Sequence, residues 1–217
     1  APALPVFPGA SGFGAHTVAG RGGEIYRVTN LNDDGPGSLR HGVEQIEGPR
    51  VIVFEVSGVI ELESDLLVRP KSDGEFGFLT IAGQTAPPPG VTLKNAGIAI
   101  RSHDVLIQHL GIRPGAARAS ARLPRLLNRD SIKIEAPPGQ TTFNVVIDHV
   151  SCSWATDETV STWSDGGAIH HVSILDSVIS ESIRRADPTS PTGYGGLGGR
   201  NTIGVSFIGN LFALNQA

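Results

Sequence analysis

Five oxygen donors crowd one stretch of the sequence: Asn128, Asp130, Asp148, Asp157 and Glu158. Carboxylate and amide oxygens are the hard ligand set of calcium rather than of zinc, which prefers imidazole and thiolate. The same residue types are ordinary turn formers that bond nearby backbone, and spacing alone does not separate the two roles. Arg184-Arg185 is the only adjacent Lys/Arg pair in the chain. It reads either as a solvated loop pair or as a clamp for carboxylates, which the planar guanidinium fork suits. Trp154 and Trp163 flank Asp157. Core packing is the usual fate of such rings, but a Trp exposed beside carboxylates suits stacking on a sugar.

Other patterns carry less. Gly193-Tyr-Gly195-Gly-Leu-Gly198 fits a dinucleotide-binding string. No strand leads into it and no helix follows, so it is expected to be a flexible loop lining a cleft. The chain has no Gly-x-Ser-x-Gly elbow, and Asp148-His149 has no matching nucleophile, which speaks against a hydrolase triad. His170-His171 offers two imidazoles, but neighbours on a strand point to opposite faces. The single cysteine, Cys152, excludes an internal disulfide and a thiolate zinc cage, and its expected role is packing.

These residues must be positioned by elements, and an imperfect repeat supplies them. Val105-Leu-Ile107, Val145-Val-Ile147, Val172-Ser-Ile174 and Val205-Ser-Phe207 align, and each is followed five places after its third residue by Ile112, Cys152, Ile179 or Phe212. Each triplet reads as a strand that turns a corner into a second short strand. The starts lie 40, 27 and 33 residues apart, which suits a coil carrying loops of variable length. The pattern predicts an all-β fold, a parallel β-helix, forming one domain over residues 1–217. Cys152 then joins Ile112, Ile179 and Phe212 in an internal ladder. Asn30 to Gly37 is a turn cluster, and Ser38 is placed to N-cap a short helix through about Gln45 that closes one end of the solenoid. After Phe212 only Ala213 to Ala217 follow, with no capping element. The domain is therefore expected to be incomplete there, with a continuation or a second polypeptide covering the C-terminal end of the solenoid.

Composition narrows the classes further. With 39% hydrophobic and 18% charged residues, 28 Gly and 15 Pro, the chain is neither disordered nor a charged helical rod. A net charge of −4 with clustered lysines absent argues against a nucleic-acid partner. The longest apolar run, Val51 to Val56, is broken by Glu55 and is too short to span a membrane. The opening Ala-Pro-Ala-Leu-Pro, without initiator Met or basic-apolar leader, looks like a processed secreted protein.

Longer strings now point one way. Phe7-Pro-Gly-Ala-Ser-Gly-Phe-Gly, Gly20-Arg-Gly-Gly, Val28-Thr-Asn-Leu-Asn-Asp and Gly35-Pro-Gly-Ser-Leu-Arg40 open the chain. Ile81-Ala-Gly-Gln-Thr-Ala-Pro, Ile147-Asp-His149, Ser153-Trp-Ala-Thr-Asp-Glu158 and Ile179-Ser-Glu-Ser182 follow. Over nearly its whole length the chain resembles the pectate lyases of polysaccharide lyase family 1, particularly their bacterial secreted branch, with the first strings resembling that branch's N-terminal cap. The resemblance implies a right-handed parallel β-helix, Ca2+ as cofactor, and β-elimination on pectate (polygalacturonate), with calcium as a Lewis acid while the C5 proton is removed. By position, Asn128 and Asp130 match the family's first pair of acidic calcium-site positions and Asp157 a later ligand. Ser161 stands where many members carry another Asp, and Glu158, often Gly, is placed to compensate. Arg184 and Arg185 match residues that contact the substrate carboxylate, Arg185 being the nearer. The family's proton-abstracting arginine, aligned on Asn210-Leu-Phe212, falls just after Ala217, so no residue of the 217 is assigned that role. The alternatives are a non-catalytic β-helix that binds acidic polysaccharide, and a lyase for another uronic acid polymer.

Overall fold

A computed structural model describes residues 4–69, 76–116, 129–184 and 192–216. Strand β1 (Glu24–Val28) and helix α1 (Leu39–Glu44) precede a series of coils. The first coil holds β2 (Arg50–Phe54), β3 (Gly58–Glu61) and β4 (Leu66–Val68), and the second β5 (Leu79–Ala82), β6 (Val91–Lys94) and β7 (Ile98–Ile100). The third holds β8 (His103–Gln108), β9 (Gly111–Arg113) and β10 (Ile132–Glu135), and the fourth β11 (Thr141–Asp148), β12 (Ser151–Ser153) and β13 (Glu158–Trp163). The fifth holds β14 (Ala168–Leu175), β15 (Val178–Ser180) and β16 (Tyr194–Gly198), and β17 (Thr202–Ile208) and β18 (Leu211–Ala213) begin a sixth. Like strands stack in parallel into three sheets, with orders β1-β2-β5-β8-β11-β14-β17, β3-β6-β9-β12-β15-β18 and β4-β7-β10-β13-β16. This is the expected right-handed parallel β-helix.

The ladders carry the predicted register. Val145 pairs with Val105 and Val172, and Val172 with Val205. Cys152 pairs with Ile112 and Ile179, and Ile179 with Phe212. Cys152 is fully buried, and burial pushes its thiol pKa up to about 12, so it packs rather than reacts. The five-residue step depends on a sharp first corner, where His109, His149 and Asp176 take left-handed backbone with φ of 53°, 51° and 45°. The structure adds two coils that the repeat did not include, because their first corners are longer, and a third sheet.

Ser38 caps α1 as expected, its Oγ accepting from the His41 amide at 3.1 Å, and Leu39 and Val43 are buried in the core. The buried Arg50 guanidinium donates to the Gly42 and Val43 carbonyls at 2.9 and 2.8 Å, so the first rung closes the open end of the helix. Residues 4–23 do not cap the solenoid as the opening strings suggested. They cross the outer face of the first sheet, with Gly14 bonded to Ser173, Thr17 to Asp104 and Gly20 to Thr80. At Gly20 a Cβ would lie 2.0 Å from the Arg50 carbonyl oxygen, so only glycine allows the approach. Beneath this strap Leu106, Val146 and Leu175 are buried on the outer side, so this part of the first sheet is apolar on both faces.

The Gly193–Gly198 string is a strand and not the flexible loop expected of it: Tyr194–Gly198 forms β16, in register with β13. Its backbone pairs without needing side chains, and the absent Cβ atoms of Gly195 and Gly196 leave space for the Phe212 ring. The alternation argument at His170-His171 also fails. His171 bulges at φ 59°, and the two Nδ1 atoms come within 3.2 Å on the same side. In the last coil Phe207 and Phe212 are 38% and 47% exposed, whereas their ladder partners Ile174 and Ile179 are buried. No helix among the described residues is long and apolar enough to cross a membrane.

Candidate functional site

The outer face of the third sheet is left open, and its chemistry follows from alternation. In β10, Ile132 and Ile134 point into the core, so Lys133 and Glu135 face out; in β13, Ser161 and Trp163 are their register partners. Arg101, beyond β7, pairs with Glu135 at 2.7 Å. These side chains wall a cleft of about 670 Å³ that Asp130, Asp157 and Glu158 also line.

The chain on either side of Asp130 is locked to the next coil. The Thr156 amide donates to the Arg129 carbonyl at 2.9 Å, and the Ser131 amide to the Thr159 carbonyl at 3.1 Å. Asp157 is fixed from the other side, where its carbonyl accepts from the Gly193 and Tyr194 amides at 3.1 Å each. The result is one donor oxygen from each of Asp130, Asp157 and Glu158 within 4.8 Å of one another.

The electrostatics are unfavourable without a cation. Burial, offset in part by Lys133 and the Ser161 hydrogen bond and reinforced by Glu158 and Asp157, pushes the Asp130 carboxyl up to about 7. Burial also raises Asp157 and Glu158, and in Glu158 the charge of Asp157 adds to the rise. Ser161 Oγ donates to Asp130 Oδ2 at 2.5 Å, while Asp130 Oδ1 is buried without a hydrogen-bond partner. A buried, orphaned carboxylate oxygen facing two further carboxylates fits a hard divalent cation, which would satisfy the oxygen and reverse the mutual repulsion.

Of the residues expected from sequence, the structure brings Asp130, Asp157 and Glu158 together. Asn128 and Arg185 lie outside the described residues. Arg184 is exposed in the coil that stacks on Ala155 to Asp157, where the preceding Ile183 amide bonds the Ala155 carbonyl at 2.8 Å. Asp148, grouped with the oxygen donors by sequence, is a correction: it ends β11 at the corner between the first and second sheets and takes no part in the cleft. Of the two tryptophans, Trp163 lines the cleft and is 41% exposed. Its ring lies over Gly199, where a Cβ would meet Cε3 at 2.3 Å. Trp154 sits elsewhere, its Nε1 donating to Glu181 at 3.1 Å and its ring beside the Arg113 guanidinium. Sequence reasoning missed Lys133, whose Nζ lies 3.9 Å from Asp130 Oδ1. Its signal was a polar residue between two core isoleucines, three places after Asp130.

Fold and site together define a right-handed parallel β-helix with an acidic cleft on its third sheet. No protein-family model matches the chain. "Probable pectate lyase C" of Emericella nidulans is 36% identical over 215 residues, covering 99% of this chain and 44% of that protein. Its namesake in Aspergillus terreus is 38% identical with the same coverage. "Pectate lyase 1" of Hesperocyparis arizonica is 32% identical over 161 residues, 71% of this chain and 40% of the relative. The chain thus spans less than half the length of these curated relatives. The crystal structure of Jun a 1, the major allergen from cedar pollen, superposes with a TM-score of 0.59 at 21% identity, covering 90% of this chain and 68% of that one, and shows the shared fold. The chain is a homologue of pectate lyases.

Proposed function

We propose that the protein containing this chain is a secreted, calcium-dependent pectate lyase that cleaves polygalacturonate by β-elimination, of the bacterial secreted branch that the opening strings resemble. The observation that carries the calcium site is the orphaned Asp130 Oδ1, buried between carboxylates that line an open cleft. Asp130, Asp157 and Glu158 would hold the ion. Calcium bound there would supply a Lewis acid that withdraws charge from the uronate carboxylate and acidifies the C5 proton. The residues of the chain itself bind and orient. Lys133 places an ammonium beside the carboxylates, and Trp163 gives a sugar ring a flat apolar wall. Arg184, exposed on the neighbouring coil, would offer its guanidinium to a further substrate carboxylate, as the resemblance implies. The proton-abstracting base is assigned to none of the 217 residues. A polymer of this size acts outside the cell, which is the support for secretion.

The test is the ultraviolet absorbance of unsaturated product released from polygalacturonate by the whole protein at alkaline pH, with calcium and then with a chelator. Calcium-dependent absorbance is expected, and Asp157→Ala is expected to abolish it with the fold intact. Retention of polymer without unsaturated product would replace this reading with that of a polysaccharide-binding β-helix.

A further inference from the structure

A second cluster of metal-ligating side chains lies away from the cleft, at the sharp corner between the first and second sheets. His109, His149 and Asp176 hold this corner in three successive coils, each in left-handed backbone. Their amides donate in turn to the Asp148, Leu175 and Ile208 carbonyls at 3.2, 3.1 and 2.9 Å, so the corners stack in register. The His109 and His149 rings lie with centroids 4.9 Å apart and planes 25° from parallel, and both side chains are exposed. Beside them Asp148 is buried and held from behind. Its Oδ2 accepts from Gln108 Nε2 at 2.7 Å, and Gln108 Oε1 accepts from Gln84 Nε2 at 3.2 Å. Asp148 Oδ1 is left facing His149 Nδ1 at 2.8 Å. One donor atom each of His109, Asp148 and His149 lies within 4.8 Å of the others.

We propose that His109, Asp148 and His149 form a binding site for a divalent transition metal such as zinc, independent of the acidic cleft. Two imidazoles and one carboxylate make a nitrogen-rich set that suits zinc and is poor for calcium, the reverse of the cleft's all-oxygen set. Gln108, backed by Gln84, holds the Asp148 carboxylate from behind, which fixes its free oxygen beside the His149 ring. Exposure of both rings leaves coordination positions open to solvent or to a ligand. The backbone supports the pairing, since residues at this corner are stacked by the coil itself and the rings need no loop closure to meet. The His170–His171 pair, in contrast, brings two nitrogens together with no third ligand grouped with them among the described residues.

The experiment is a calorimetric zinc titration of the whole protein at neutral pH in millimolar calcium, repeated with His109→Asn and His149→Asn. Asparagine tolerates left-handed backbone, so the corner is kept while the ligand is lost. One zinc per chain is expected, with binding weakened tenfold or more in each variant. No uptake by the wild-type protein, uptake undiminished in both variants, or displacement of zinc by calcium would each overturn the proposal. Should a variant fail to fold, zinc-induced shifts of the His109 and His149 imidazole resonances in the wild-type protein decide the matter, and their absence refutes it.

Discussion

Replacing Asp130 by asparagine is expected to stabilise the calcium-free protein, although it removes a proposed calcium ligand. In the fold, burial among other carboxylates pushes the Asp130 carboxyl from the ordinary 3.8 up to about 7. A carboxyl whose pKa is raised by folding binds its proton more tightly in the native state, so its ionisation opposes folding. The penalty is absent below about pH 4, grows by about 1.4 kcal/mol for each pH unit, and levels off above about pH 7. At pH 8 it amounts to about 4 kcal/mol. The amide of Asp130→Asn never ionises and can still accept from Ser161 through its oxygen, at a cost of about 1 kcal/mol if the pairing is poorer. Urea unfolding in the presence of a chelator should therefore show the variant about 3 kcal/mol more stable at pH 8 and about 1 kcal/mol less stable at pH 4, where the ionisation penalty is gone and the poorer pairing remains. Added calcium should raise the midpoint of the parent and leave that of the variant nearly unchanged. A variant less stable than the parent at pH 8 without calcium would refute the reasoning, because Asp130 would then be a carboxylate that the fold accommodates at no cost.

Two further outcomes test the cleft and the capped end. Trp163→Ala should weaken binding of oligogalacturonate about three- to tenfold, the worth of one aromatic stack, raising KM more than it lowers kcat. Calorimetry and steady-state kinetics would measure this, and unchanged affinity would remove Trp163 from the sugar path. Arg50→Met keeps the bulk of the side chain but leaves the Gly42 and Val43 carbonyls without their donor. Urea unfolding should show a loss of about 3 kcal/mol or more, and an unchanged midpoint would mean that the guanidinium does not close the helix.

What the sequence disclosed follows the geometry of the two corners. From the third coil on, the first corner is a single left-handed residue, so the step from Ile107 to Ile112 recurs from Ile147 to Cys152 and from Ile174 to Ile179. A constant step is legible, and it fixed both ladders. In the earlier coils the same positions, Ile52 to Ile60 and Ile81 to Leu93, are separated by longer turns, one of them containing the 3-10 turn Gly83–Thr85, and the repeat disappears. The third sheet was hidden for a stronger reason. Its ladder Ile98, Ile132, Val160 and Gly196 follows the second sheet at a different distance in every coil and ends in a glycine that carries no apolar signal. His171 escaped because a bulge defeats alternation, and Asp148 was misgrouped because proximity in sequence crosses a corner in space.

The corner that hid the third sheet is also the corner beside the candidate site. The segments between β9 and β10 and between β15 and β16 vary freely in length because the β-helix requires only that the next strand return in register. Asp130 stands at the end of the first, and Arg184 lies within the second. Freedom in length permits such a segment to present side chains that the core does not select. The strands at its ends supply the rigidity, through the amides of Thr156, Gly193 and Tyr194 that pin its ends to neighbouring coils. From the third coil on, the first corner keeps one length and one backbone turn, and only the residue type changes, as in His109, His149 and Asp176. A site there can form only when neighbouring coils place ligands at the same position, and a sequence read one coil at a time does not reveal it.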